Sequence, residues 1–212
     1  MPQPYQLFAA SSTGSAITEA VLKWKKAPYK IISVDYVKDV LGEKARISKL
    51  NPLSEVPTLI LPNGKPMTES AAMAFYLEET FKSRPLFPKP GSRDRAEVLK
   101  WLIFIVANIY PTFTYGDDPS DWIKTKSARE ELRESTKKRC QELWLLCEGA
   151  AKAKPYWMGK EISILDIYVF VMSHWRPGRK WFEDHCPKLI KISEKVGKHP
   201  DLISVWERNF KT

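Results

Sequence analysis

The stretch from Asn51 to Leu77 constrains this chain more than any other part of it. Val56-Pro57 opens a short apolar run, Thr58 to Leu61. A proline that begins a strand cannot donate to a sheet ladder, so it belongs at an edge or in a special bond geometry. X-Pro bonds are also the ones for which the cis form is inexpensive. A bend there would turn the main-chain polar groups of Val56 toward a ligand. Pro62-Asn63-Gly64 then reads as a tight turn. Thr68-Glu69-Ser70 stands immediately before a helical pattern, which gathers a carboxylate, a hydroxyl and helix N–H groups in one place. That combination suits an amino-acid-like ligand carrying both an ammonium and a carboxylate.

The segments around this stretch fall into an order. Tyr5 to Ala9 reads as a first strand, and Ser11-Ser12-Thr13-Gly14-Ser15 as a small polar loop. Ala16, Ile17, Ala20, Val21 and Trp24 recur at helix spacing, with Ser15 as the N-cap and Glu19 one place beyond the capping-box position. Tyr29 to Val34 reads as a second strand, parallel to the first because a helix joins them. A short helix over 42–49, a strand over Thr58–Leu61, a very short strand at Pro66-Met67 and a helix over 69–79 complete a βαβ-ββα unit of thioredoxin type. The linker composition of 81–92 contains Arg84-Pro85-Leu86-Phe87-Pro88-Lys89-Pro90-Gly91. Beyond it everything reads as helical: 93–110 with Pro111 as a break or kink, then 122–152, 164–175, 187–196 and 200–210. The fold class is therefore α+β with two domains. A thioredoxin-like domain spans 1–80, a linker 81–92, and an all-α bundle 93–212.

Composition removes several classes of function. A chain of 212 residues with 43% hydrophobic content can bury a large core. No run approaches the ~20 apolar residues of a membrane span, and the N-terminus lacks the order of a signal peptide, so the chain reads as cytoplasmic. The net charge of +9 is spread among acidic residues, as in Lys124 to Arg139, which fits a solvated surface or an anionic small substrate rather than nucleic acid. Three cysteines without a C-x-x-C pair disfavour a disulfide scaffold, a zinc site or a dithiol redox centre. Cys140 and Cys147 read as small core residues. His174 reads as a core residue, His199 as part of a turn, and His185 beside Cys186 does not make a metal site.

Taken in order, Asn51-Pro52, Val56-Pro57-Thr58-Leu59, Glu69-Ser70 and Tyr76-Leu77 resemble the glutathione site of the cytosolic glutathione S-transferases, of a bacterial, serine-loop type. Gly159 to Asp166 resembles that family's helical capping box, Ser163 to Asp166, whose role is folding. The resemblance covers nearly the whole chain and implies a role for each matching residue. Val56 pairs, strand-like, with the cysteinyl backbone of glutathione, and Pro57 is cis. Glu69 attracts the ligand's ammonium, while the Ser70 hydroxyl and helix N–H groups donate to its carboxylate.

The family's chemistry needs a hydrogen-bond donor near the glutathione sulfur, because a free thiol with a pKa of roughly 8.5 is mostly protonated at neutral pH. Counting back from Tyr29, Ser12 falls at the position of the catalytic hydroxyl in serine-type members, with Ser11 and Thr13 as rivals. Tyr5, inside the strand, reads as packing. The cysteine of cysteine-type members would fall at Gly14, and the loop holds none, which argues against a mixed-disulfide mechanism. Tyr110, Phe113 and Tyr115, with Trp175, are candidates for a second-substrate pocket against the helical half. Lys38 and Arg46 are candidate cations for the glycyl carboxylate. The resemblance implies transfer of glutathione to small hydrophobic electrophiles, as in detoxification, by a homodimer without metal. A glutathione-dependent isomerase or peroxidase, a ligand carrier and a non-catalytic interaction module on the same fold stay open.

Overall fold

The computed structural model describes residues 3–35 and 42–210; Lys38 lies outside them. In chain order it contains β1 (Tyr5–Ala9), α1 (Ser15–Trp24), β2 (Tyr29–Ser33), α2 (Glu43–Leu50), β3 (Thr58–Ile60), β4 (Pro66–Met67), α3 (Ser70–Thr80) and α4 (Arg93–Phe104). A π-helical stretch, Ile105–Ile109, leads into α5 (Tyr110–Gly116). Then follow α6 (Lys126–Ala150), α7 (Ile164–Met172), α8 (Arg179–His185), α9 (Pro187–Gly197) and α10 (Ile203–Asn209). The architecture is the expected one, a small α/β part followed by helices. The chain divides into two compact units, residues 1–86 with 196–212, and residues 87–195.

The first unit is a four-stranded sheet in the order β2-β1-β3-β4. β1 and β2 pair in parallel, Tyr5 opposite Tyr29 through Ala9 opposite Ser33. β3 runs antiparallel to β1, with Phe8 opposite Thr58. β4 runs antiparallel to β3 at the edge, where Pro66 costs the ladder least. All three residues of β3 are buried, as befits a strand paired on both sides. Phe8, Val34, Ile47 and Ile60 form one apolar cluster, with Ile32, Leu50 and Val56 packed against it.

α1 departs from the expected amphipathic helix. Every residue from Ser15 to Leu22 is buried, Glu19 included. Its N-cap is Gly14 rather than Ser15, and the Thr13 hydroxyl accepts the Ser15 N–H at 3.2 Å. The extra burial comes from α10, which packs on α1 and brings residues 196–212 into this unit rather than into the helical one. Glu19 is a buried anchor for that helix, accepting from Asn209 Nδ2 at 3.0 Å and pairing with the Arg208 guanidinium.

Just past α1, Lys25 has 0% of its side chain exposed. Its ammonium lies 2.6 Å from Glu78 Oε2 and donates to the carbonyls of Phe81 at 3.1 Å and Ser83 at 3.2 Å. Three acceptors match the three ammonium protons. The contact fastens the end of α1 to the end of α3.

Within the second unit, Pro111 does not break the helix. The helical run continues from Arg93 to Gly116, and the π-helical stretch just before Pro111 adjusts the backbone register where the proline has no N–H to give. This run is long and apolar enough to cross a membrane by length and composition alone, a property it shares with core helices. Its Val98, Leu102, Ile105 and Ile109 are buried. α7 is buried along its whole length and opens on a capping box. The Asp166 carboxylate accepts from the Ser163 N–H, the Ser163 hydroxyl and the Trp157 N–H, each at 2.7 Å. Trp144, Cys140, Cys147 and Cys186 are buried, and the three thiols are free. Burial pushes the Cys186 thiol up to about 12 and holds the Cys140 and Cys147 thiols above their ordinary range as well.

Two outcomes are expected. Lys25→Ala should lower stability to urea by about 3–5 kcal/mol, because Glu78 and two carbonyls lose their cation, and Lys25→Met with Glu78→Leu should recover most of that loss. Asp166→Asn should cost about 1–3 kcal/mol. Burial, outweighing the three donors, pushes the Asp166 carboxyl up to about 6, above the ~3.9 of an unfolded chain. Its contribution is therefore fully present below about pH 4 and lost as pH rises through 6. Urea titrations across that window should fall with rising pH for the parent and less steeply for Asp166→Asn.

Candidate functional site

The sheet gathers three segments at one end. β1 ends at Ala9 and leads into the hydroxyl loop. β3 runs the opposite way and begins at Thr58, directly after Val56-Pro57. β4 reverses again and ends at Met67, directly before Glu69-Ser70. With Phe8 opposite Thr58 and Leu59 opposite Met67, all three segments emerge from the same end of the sheet. Strand register thus brings together residues that lie up to 59 positions apart in the chain, from Ser11 to Ser70.

The Asn51–Thr58 turn is pinned from inside. The buried Asn51 donates from Nδ2 to Glu55 O at 3.0 Å and to Thr58 Oγ1 at 3.2 Å. Its Oδ1 accepts the Leu53 N–H at 3.0 Å, and Thr58 Oγ1 donates to Glu55 O at 2.8 Å. One amide side chain therefore satisfies a turn that has no ladder of its own. The turn presents a cis Val56-Pro57 bond, with Val56 half-buried against the Phe8 cluster. Beyond β4, Glu69 is exposed and occupies the N-cap position of α3 with φ +67°, and Ser70 is the first residue of the helix.

The hydroxyl loop is engaged. Ser12 is exposed, with φ +61°. Its hydroxyl donates to the main-chain oxygen of Asn209 at 2.7 Å. Ser11 Oγ reaches the same oxygen at 3.1 Å and Arg208 O at 3.3 Å. Thr13 Oγ1 is turned back into the loop, 2.8 Å from Ala10 O and 2.9 Å from Ser15 Oγ. Tyr5 is buried against Phe81, and burial, with Tyr76 beside it, pushes its hydroxyl up to about 12. Arg46 lies over the Phe8 ring at 4.9 Å and 3.6 Å from Glu43.

In the second unit, Tyr110, Phe113 and Trp175 form one aromatic group, with ring centroids 5.3 to 6.4 Å apart. Tyr168 joins it at 6.4 Å from Tyr110. Tyr115 stands apart and packs edge-on to Trp122 at 4.9 Å. Among the described residues, no group of three His, Cys, Asp or Glu side chains could hold a metal ion. His174 Nδ1 lies 2.7 Å from Phe170 O, and His185 stacks on Trp181.

Sequence reasoning missed the partners that α10 supplies. Asn209 is 197 positions from Ser12, and no local pattern announces the contact. The available signal was Glu19, a carboxylate inside the apolar run Ala16-Ile17-Thr18-Glu19-Ala20-Val21-Leu22. A charge there must be answered by another element.

The pinned turn gives a direct expectation. Asn51→Ala should cost about 1–3 kcal/mol, leaving Thr58 and the Glu55 carbonyl short of a partner. It should also speed amide exchange over 52–57, while Asn63→Ala at the exposed turn should stay within about 0.5 kcal/mol.

Comparison with known proteins bears on the family and the fold. Residues 14–80 match the model of the glutathione S-transferase N-terminal domain. The uncharacterized GST-like protein YncG of Escherichia coli K12 is 32% identical over 205 residues, 96% of this chain and 98% of that protein. Glutathione S-transferase GstA of Escherichia coli O157:H7 is 24% identical over 200 residues, 93% of this chain and 94% of that one. Among solved structures, a glutathione transferase homologue from Sulfitobacter with bound glutathione superposes with a TM-score of 0.84 at 20% identity, covering 98% of each chain. With a relative of that identity along almost its full length, and with this fold, the chain belongs to the glutathione S-transferase family.

Proposed function

We propose that this protein binds glutathione at the end of the sheet where the three loops meet and transfers it, as thiolate, to a small hydrophobic electrophile. The observation that carries the reading is the convergence of the hydroxyl loop, the cis Val56-Pro57 turn and Glu69-Ser70 at one end of the sheet. On this reading the Val56 main chain pairs with the cysteinyl backbone of the ligand. Glu69 faces the ammonium, and Ser70 with the first N–H groups of α3 donates to the neighbouring carboxylate. A hydroxyl of Ser12, or of Ser11 or Thr13, donates to the sulfur and favours the thiolate. Arg46, at the same end of the sheet, is a cation for the glycyl carboxylate. Tyr110 and Phe113, grouped with Trp175, line the electrophile's pocket, with Tyr115 at its margin. The protein acts in the cytoplasm as a homodimer and uses no metal.

A second reading has its own support. Each of the three loop hydroxyls lies within reach of an acceptor inside the protein, which suits a glutathione-binding module or carrier without turnover. Calorimetry with glutathione, followed by conjugation with a reactive aryl halide, separates the two. Binding with turnover supports the transferase, binding without turnover supports the carrier, and no binding sinks both. Glu69→Ala should weaken glutathione binding about tenfold to a hundredfold, the scale of a lost charge partner. Ser12→Ala should lower turnover about tenfold or more while changing glutathione affinity little. Full turnover in Ser11→Ala, Ser12→Ala and Thr13→Ala alike would remove the loop from the mechanism.

A further inference from the structure

The end of α10 reaches the loop assigned above to thiol activation. Ser12 and Ser11 both direct their hydroxyls at the carbonyl of Asn209, 2.7 and 3.1 Å away. That carbonyl is held from behind. Asn209 Nδ2 donates to Glu19 Oε2 at 3.0 Å and to Val205 O at 2.9 Å, and the Arg208 guanidinium pairs with the same carboxylate. Glu19 is buried and accepts from Tyr29 Oη at 3.4 Å through its other oxygen. A buried carboxylate on α1 thus sets where the last turn of α10 stands, and the last turn sets where the loop protons point.

A serine hydroxyl has one proton to give. While the Ser12 proton points at Asn209 O it cannot also stabilise a sulfur anion. We infer that Asn209 and Glu19 are positioning residues for the hydroxyl loop, and that the Asn209 carbonyl competes with the glutathione sulfur for the Ser12 proton. Thiol activation then requires the Ser12–Asn209 bond to open, and the grip of Glu19 on Asn209 and Arg208 governs how readily it does so. The inference rests on the proposed role of the loop in activating the thiol.

The test is the pKa of bound glutathione, read from thiolate absorbance in the ultraviolet, alongside glutathione affinity and thermal midpoint. Asn209→Ala releases the carbonyl from Glu19. The bound thiol pKa should fall by about half a unit to one unit, the worth of one competing hydrogen bond, with affinity changed less than about twofold. Adding Ser12→Ala should abolish that fall. Glu19→Gln keeps an oxygen for the Asn209 amide but drops the charge that holds Arg208, and should give a smaller fall in the same direction. In the unaltered protein, where folding is not at issue, saturating glutathione should speed amide exchange at 207–210. An unchanged or raised thiol pKa in folded Asn209→Ala overturns the inference. So does exchange at 207–210 that glutathione leaves unchanged or slows. Failure of the underlying reading looks different: Ser11→Ala, Ser12→Ala and Thr13→Ala would all leave the bound thiol pKa where it was. A raised pKa in Ser12→Ala with none of the expected fall in Asn209→Ala would sink the positioning role alone.

Discussion

The ammonium of Lys25 lies wholly out of water, and the ends of α1 and α3 are arranged around it. Removing a cation from solvent is costly unless its protons are met. Glu78 and the carbonyls of Phe81 and Ser83 meet all three. Six positions earlier on the same segment, Glu19 repeats the pattern with opposite sign and takes its donors from α10 and Tyr29. A helix buried along eight consecutive residues leaves a charge within that stretch no solvent to face. Each of these two buried charges therefore dictates what must pack against it. One fixes α3, whose first residue follows Glu69. The other fixes α10, whose last carbonyls meet the hydroxyl loop. The sheet supplies the apolar core, and these two ionic anchors fasten α3 and α10 to α1.

Much of this was legible in the chain itself, where the signals were local. Val56-Pro57 marked both a cis bond and the start of β3, and Pro62-Asn63-Gly64 marked the turn into β4. The Ser163–Asp166 spacing marked the buried capping box of α7. What the chain hid was contact between distant segments. α10 resembled one more helix of the bundle, because its apolar spacing says that a face is buried but not against what. Glu19 looked like part of a cap, because a carboxylate near a helix start is usually one. α8 was overlooked for another reason. It has seven residues and a single buried side chain, Phe182, too little periodicity to register. At Pro111, read as a break or kink, the helical run goes on, with a π-helical stretch just before the residue that lacks an N–H.

The residues at the end of the sheet where the segments meet also share a backbone property. Six described residues other than glycine have positive φ, and three of them, Ser12, Ser54 and Glu69, belong one each to the three converging segments. Side chains rarely adopt this conformation, and each instance costs on the order of 1–3 kcal/mol unless the surroundings impose it. The surroundings do so here by identifiable means. Ser54 sits in the turn held by Asn51, whose carbonyl accepts the Ser54 N–H at 2.8 Å. Ser12 sits between Thr13, bound to Ala10, and the carbonyl of Asn209. Glu69 lies between the last residues of β4 and the first turn of α3, where its own carbonyl accepts the Met73 N–H at 2.9 Å. An unfavourable conformation kept in all three loops points to geometry set before a ligand arrives. Such preorganisation lowers the ordering cost of binding. It also explains why the tethers of these loops, Asn51 on one side and Glu19 through Asn209 on the other, lie in the interior while the groups they aim stand at the surface.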